Sequence, residues 1–493
     1  MARLASKKQN WQEALELIDR SLIKNWHNHK ARQLKVSILR KLNRIEEAWN
    51  QIEESLALDK FNIGILFEKY LLIRDRVLNP VTDSEFPTLL CGNIHTCIEY
   101  SLDLAHTGLF EEAIELIKIG IKEQDGAPVY PMALYYKAWF ESQNGDLTTS
   151  LKSLKEAATA NPDYCFPNQL EAVVILEWAI KQNPADSKAP WYLGNFWYNA
   201  RQYEKATENW ELSANLDDKF PTVHRNFALA YFNKLNEPEK ALAELEKAFA
   251  LDKSDSRIFM ELDQLYKRLN FPTDKRLQKF EKYVSLVEER DDLYLERVAL
   301  YNSLGEFEKS YDLSMARKFH PWEGGEGKAT GQYIFSLTEQ AKKAISIKAF
   351  DAAVELLNRA QQYPVNLGEG KLYGAQENEL FYWLGCAYKG LGLSDKAYEC
   401  WEIATKGLME PAPAIFYNDQ QSDTIYFQGL ALIRLNKQEE ARERFETLIR
   451  FGNQHLHDEF KLDYFAVSLP DLQIWDDDLS KRNRENCQNL IRC

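Results

Sequence analysis

Two copies of the tetrapeptide Gly-Glu-Gly-Lys, at Gly325–Lys328 and Gly368–Lys371, are the stretches of this chain that most suggest chemistry. Glycine permits a left-handed backbone or a close approach to a ligand, and the adjoining Glu and Lys put opposite charges on a pliable segment. Phosphate cradling is the first chemistry to weigh. A P-loop needs G-x-x-x-x-G-K-[ST] after a strand. Here Trp322 stands where the first glycine belongs, Ala329 stands where the Ser or Thr belongs, and a helical pattern precedes. Nucleotide binding is therefore rejected.

Acid–base chemistry is the second. The same part of the chain carries His320, Trp322, Glu323, Glu326, Lys328, Glu369, Lys371, Glu410, Tyr417, Asn418, Asp419, Asp423, His455, His457 and Asp458. A glycoside hydrolase pairs two carboxylates across the sugar bond, and Trp322 or Tyr417 would supply a stacking ring. Spacing selects no particular pair. The plainer reading is that these loops fold on one another or dock on another domain. His455 and His457 lie two apart in "HLHDE" but lack a third metal ligand at a defined spacing. The run "WDDDL" at 475–479 lacks the glycine and terminal glutamate of a calcium loop, so a helix cap or acidic surface explains it. No catalytic residue, metal or cofactor is expected.

Such loops need helices to hold them, and the helices of this chain recur. In "WYLGNFWYNARQYEKATENWELSA", starting at Trp191, Gly194 is followed by Ala206 and Trp210, and Ala228 and Leu262 follow Gly194 at steps of 34 residues. Gly385, Ala397 and Trp401 repeat the arrangement, as do Gly429, Ala441 and Phe445, while Ala14 and Ala48 are again 34 apart. A fixed period of this length marks stacked units, none of which can bury its apolar face alone. Small residues let paired antiparallel helices approach, and the aromatic is expected to fill the gap left against the next pair. The second-helix markers are Ala14, Ala48, Ala113, Ser150, Ala206, Ala241, Ser310, Ala353, Ala397 and Ala441, with Ala172 and the stretch near Arg276 as degenerate copies. Spacings of 65 residues from Ala48 to Ala113 and 56 from Ser150 to Ala206 predict a bend or altered packing.

The pattern resembles the tetratricopeptide repeat, whose first helix carries Trp, Leu, Gly and Tyr and whose second carries Ala, an aromatic and Ala. The resemblance implies an all-α fold, a right-handed α-α superhelix of about ten to twelve helix pairs, soft in its domain boundaries. Irregular repeats are expected over 1–185, regular ones over 186–290, and repeats with long Gly-rich loops and a tail over 291–493. Four segments exceed the usual connection length: "HPWEGGEGKATG", "YPVNLGEGKLYGAQ", "MEPAPAIFYNDQQSD" and "GNQHLHDEF". All follow a second helix, so a stacked array puts them on one edge.

In this family the concave groove lined by first helices is the usual ligand surface. Tyr135, Trp191, Phe259, Tyr382 and Tyr426 recur at one equivalent position and would either grip a peptide or glycan there or pack between helices. Some relatives clamp a carboxylate tail with Lys, Asn and Arg on successive units. Asn195 and Asn226 match two of those places, but Trp191, Ser256 and Met260 replace the cations, so that clamp is not supported. The motifs "HPWEGGEGK", "NLGEGKLYGAQ", "PAIFYNDQQ" and "DYFAVSLPDLQIWDDDLSKRN" further resemble the carboxy-terminal region of large bacterial tetratricopeptide proteins with an amino-terminal β-rich domain of unknown function, over roughly residues 290–490. That resemblance implies no catalytic residues and suggests the β-rich domain of the same parent chain as a partner. Ala14 places its partner helix near Ala2, as though the chain opens inside a first helix; a longer parent or a frayed first unit would each account for this.

Bulk properties narrow the partners. The 493 residues are 45% apolar and 28% charged, a globular composition. Lys and Arg number 61 against 75 Asp and Glu, a formal charge of −14 that disfavours nucleic acid. The seven cysteines form no C-x-x-C pair, and no apolar run is long enough for a bilayer, so a cytoplasmic, reducing setting without membrane contact is expected. The function expected is a non-catalytic protein-interaction or domain-organising scaffold binding a peptide or partner domain through its groove and loop edge. The alternative is a carbohydrate-binding or carbohydrate-active site on that edge, completed by a missing domain. A pocket holding two carboxylates beside Trp322 would favour the sugar; interlocking loops would favour the scaffold.

Overall fold

The computed structural model describes residues 1–76, 85–122, 128–320, 325–411, 420–459 and 474–492. Among these residues every regular element is helical. The chain divides into two compact units, Met1–Val223 and His224–Cys493. The first contains α1 (Ala2–Lys7), α2 (Trp11–Lys24), α3 (His29–Lys41), α4 (Ile45–Leu58), α5 (Ile63–Arg76), α6 (Glu85–Leu89), α7 (Ile94–His106), α8 (Phe110–Lys122), α9 (Pro131–Gln143), α10 (Leu147–Thr159), α11 (Leu170–Gln182), α12 (Lys188–Asn199) and α13 (Tyr203–Leu216). The division falls near the start of α14 (Pro221–Asn233). The second continues with α15 (Pro238–Leu251), α16 (Ser256–Arg268), α17 (Thr273–Lys282), α18 (Val284–Glu289), α19 (Asp291–Ser303), α20 (Phe307–Ala316), α21 (Lys328–Ser346), α22 (Phe350–Ala360), α23 (Asn378–Gly390), α24 (Ser394–Ala404), α25 (Ser422–Arg434), α26 (Gln438–His455) and α27 (Leu479–Arg492).

One local device makes the pairs. Gln9, Asn43, Gly108, Gly145, Arg201, Asn236, Gly305, Lys348, Gly392 and Asn436 all have left-handed φ, between 53° and 90°, and each lies five residues before its second-helix marker. The chain there ends one helix and reverses into the next. A backbone bond running back over the turn accompanies it, for example Arg44 N–H to Leu39 C=O at 2.9 Å and Leu393 N–H to Tyr388 C=O at 3.0 Å. These bonds satisfy carbonyls that the helix end would otherwise leave open. The all-α repeat of antiparallel helix pairs is thus written into a turn and a small residue at fixed separation.

All ten markers lie on second helices and are at most 1% exposed. Where Ser replaces Ala, its hydroxyl is satisfied by the facing first helix: Ser150 Oγ donates to the Ala138 carbonyl at 2.7 Å, and Ser310 Oγ to that of Val298 at 3.2 Å. The aromatic also fills space within its own pair. A Cβ on Gly194 would lie 2.4 Å from the Trp210 ring, and one on Gly385 would lie 2.4 Å from that of Trp401. Each ring therefore covers the glycine of its own pair, where the missing side chain leaves room, and Trp401 also belongs to a buried cluster with Ala431 of the next pair.

The irregular spacings correspond to inserted helices. α5 and α6 lie in the long interval before Ala113, and α11, packed on α9 and α12, lies in the one before Ala206. Ala172 is buried on α11 and so marks an extra helix, not a second helix of a pair. Arg276 on α17 takes the place of a small residue, and its guanidinium is neutralised by Asp263 at 2.7 Å and Glu296 at 2.6 Å. No helix among the described residues is long and apolar enough to cross a membrane.

Candidate functional site

The first two long loops interlock. Glu369 of the second Gly-Glu-Gly-Lys reaches the first: Gly327 N–H donates to its Oε1 at 2.6 Å and the Thr330 hydroxyl to its Oε2 at 2.9 Å. Gly327 adopts φ 74°, and Lys328 opens α21 immediately after it, so Glu369 supplies a carboxylate to unpaired donors at the positive end of a helix. The segment "KATG", expected in the loop, is the first turn of that helix. Asn366 fastens the other side, its Nδ2 donating to the carbonyls of Ser314 and Arg317 at 2.9 Å each, while Phe319 N–H donates to its carbonyl at 2.7 Å. Lys371 bonds Glu377 at 2.6 Å and the Gln361 carbonyl at 3.1 Å.

His320 is exposed and leans on Asp291, whose Oδ2 accepts from its backbone N–H at 2.8 Å and lies 3.1 Å from its Nδ1. Partial burial alone would raise the Asp291 carboxyl, but the His320 N–H and the Arg317 guanidinium outweigh it and hold the group below the usual carboxylate range. Asp291 and Glu369 thus act as acceptors for backbone and loop donors.

The third loop is drawn in at its base by amides. Asn378 Nδ2 donates to the carbonyls of Ala404 and Lys406 at 2.8 and 2.7 Å, and Gln420 both accepts from Leu408 N–H and donates to its carbonyl, at 2.6 and 2.7 Å. The fourth begins inside a helix, because α26 continues to His455 and "GNQH" is its last turn. Helix continuation is favoured there because Gly452 lies against α27: a Cβ on it would meet the Cys487 carbonyl at 2.7 Å. His455 Nδ1 lies 2.6 Å from Asp458 Oδ2, and no cluster of metal-ligating side chains occurs among the described residues.

The most elaborate polar site lies elsewhere, in a segment that the sequence presents as a plain acidic run. Residues 474–478 of the second unit return to its first helices α14 and α16. Trp475, 1% exposed, packs edge-on to Phe232 at 5.3 Å, and its indole N–H donates to the Glu261 carbonyl at 2.9 Å. Asn233 at the end of α14 grips the backbone twice, its Nδ2 donating to the Ile474 carbonyl at 2.7 Å and its Oδ1 accepting from Asp476 N–H at 2.9 Å. Lys234 pairs with Asp476 at 3.2 Å, and Arg268 pairs with Asp477 and also donates to the Trp475 carbonyl at 3.4 Å. Asp478 then caps α27 through Lys481 N–H at 2.8 Å, which is the helix cap expected of this run. Asp477 and Trp475 are not the solvated acidic surface expected.

The residues singled out from the sequence fall into three groups. Tyr135, Trp191, Phe259 and Tyr382 are 0%, 5%, 1% and 5% exposed, packed between helices, while Tyr426 is half-buried against Phe427 and Phe445. The Tyr135 hydroxyl donates to Asp186 at 2.7 Å, and burial pushes that phenol well above its ordinary value. Asn195 accepts from the Trp210 indole at 3.1 Å, and Asn226 is buried on α14. His320 and Lys371 are exposed on the interlocked loops, and Lys328 is exposed in the first turn of α21. Trp322, Glu323, Tyr417, Asn418 and Asp419 lie outside the described residues. Sequence reasoning missed Phe232, Asn233, Lys234, Arg268 and Trp475. Their one sequence signal is a tryptophan heading three aspartates.

No family model matches the chain. Among solved structures it is similar to TTC0263, a thermophilic tetratricopeptide protein of Thermus thermophilus, at 18% identity over 42% of this chain and 98% of that one, with a TM-score of 0.24. A tetratricopeptide protein from Parabacteroides merdae gives 16% identity over 60% and 98% with a TM-score of 0.25, and the Cut9–Hcn1 hetero-tetramer of the APC/C gives 9% over 99% and 95% with 0.29. The fold assignment rests on the recurring turn and marker of the chain itself.

Proposed function

We propose that this chain is a non-catalytic protein-interaction scaffold that binds an extended polypeptide segment on the first-helix face of its second unit. One observation carries the reading: Ile474–Asp478, a non-helical segment that bends at residues 474 and 475, is held there by a backbone clamp, a ring pocket and two cations. Stacked helices present such groups already ordered, which limits the entropy lost when a segment binds. The loop edge is a poorer candidate for sugar chemistry, because Glu369 and Asp291 are occupied as acceptors for a helix start and a loop backbone.

A displayed library of random peptides, selected on the full chain carrying Trp475→Ala, tests the reading. Enrichment that disappears when Asn233→Ala and Arg268→Ala are added is the expected result. Failure to enrich any sequence, with helical content intact, would remove the scaffold assignment.

A further inference from the structure

We propose that the pocket between the ends of α14 and α16 recognises an acidic segment of the form tryptophan followed by aspartates, which Trp475–Asp477 occupy in cis and which another polypeptide of the same chemistry takes in their place. The inference rests on the scaffold reading and narrows it to a ligand class.

Three groups read three different properties of the segment. Asn233 bonds the carbonyl of residue 474 and the N–H of residue 476, on either side of Trp475, so it fixes backbone conformation and direction without selecting side chains. The pocket beside Phe232 selects the ring. Its far wall is the Glu261 carbonyl, and only an aromatic with a donor at its tip meets that carbonyl as the indole does. Lys234 and Arg268 select the charge. Other cations on these helices are directed at the unit's own helix-borne carboxylates, as Arg225 is at Glu261 and Lys267 at Glu296, whereas Lys234 and Arg268 meet the aspartates of the incoming segment.

Neighbouring repeats in this unit join helix on helix. This contact joins α14 to a non-helical segment 241 residues away, through side-chain clamps on its backbone. A tethered occupant competes at an effective concentration in the millimolar range, so the intact chain binds an outside segment weakly, and emptying the pocket raises its affinity.

The test is fluorescence anisotropy with a labelled, end-capped Ile-Trp-Asp-Asp-Asp peptide titrated with the full chain. The Trp475→Ala chain is expected to bind at least about tenfold more tightly than the unaltered one. Replacing the peptide's Trp by Ala, replacing its aspartates by asparagines, or adding Arg268→Ala to the chain should each undo that gain. Equal binding by the Trp-to-Ala peptide, or no binding by a folded Trp475→Ala chain, would overturn the proposal and make the segment a fixed part of the fold. Should Trp475→Ala not fold, Asp477→Asn loosens the segment with the ring retained, and no gain in peptide affinity there overturns it equally. Selection of basic or purely apolar peptides in the library experiment would sink this assignment and leave the scaffold standing.

Discussion

At the scale of single residues, the repeat depends on absent atoms. Gly385 lies inside α23, where alanine would ordinarily be favoured by about 1 kcal/mol through backbone entropy and propensity. The added Cβ would meet the Trp401 indole at 2.4 Å, and that ring is 3% exposed and has no open space to swing into. Overpacking of a filled interior costs about 1–3 kcal/mol. Gly385→Ala is therefore expected to destabilise the chain, by up to about 2 kcal/mol once the propensity gain is offset. Denaturant unfolding gives the number, and the cause is separable: in a Trp401→Leu background the same substitution should become neutral or favourable. A loss of the same size in both backgrounds would mean that the ring is not what the glycine makes room for. Ser310 follows the same logic in a polar form, since its hydroxyl tolerates burial only because the Val298 carbonyl accepts from it.

Elements are fixed in place by what happens at their ends, and α21 is the clearest case. The N–H of Gly327, the residue just before it, and the Thr330 hydroxyl of its first turn both donate to Glu369, brought over from the next loop. Removing that carboxylate by Glu369→Ala should cost about 1–2 kcal/mol, the range of a lost N-terminal cap with its favourable charge at the helix start. Amide exchange should rise most at Gly327–Thr330 and little in the last turn of α21, and an unchanged profile would show the helix to be capped by other means. This contact also marks how far sequence reading reaches. Ten marker positions and their pairing were legible because a helix period and a repeat period reinforce each other within neighbouring residues. The two Gly-Glu-Gly-Lys copies were legible as connections, but not as partners, since nothing local records that one glutamate meets the turn of the other. "GNQHLHDEF" was read as a loop from its polar composition, and tertiary packing of Gly452 on α27 overrides that signal. Trp475 falls outside the repeat, and Asn233, 34 residues after Asn199, carries no sign of its partner, because their pairing is set by a chain return and not by a repeat.

For the second unit as a whole, helices pack within their own pair and on the adjacent pair, the arrangement in which stability is nearly a sum over neighbours. The docked segment departs from that rule by tying α14 and α16 to residues just before α27, a helix that packs on α26. A contact of such long sequence separation closes late, since loop entropy is lost before the contact is made. Its removal should then act on one kinetic limb. Trp475→Ala deletes a buried ring that fills a pocket, a change worth about 3–5 kcal/mol in a well-packed interior. If the segment docks after the repeats have stacked, nearly all of that loss should appear as faster unfolding of the second unit, with the refolding rate almost unchanged. Stopped-flow refolding and unfolding, followed by intrinsic fluorescence from the remaining tryptophans, separate the two limbs. A slowed refolding limb would place Trp475 in the folding nucleus, making the segment a founder of the unit; a changed unfolding limb alone is what a late-arriving, exchangeable occupant requires.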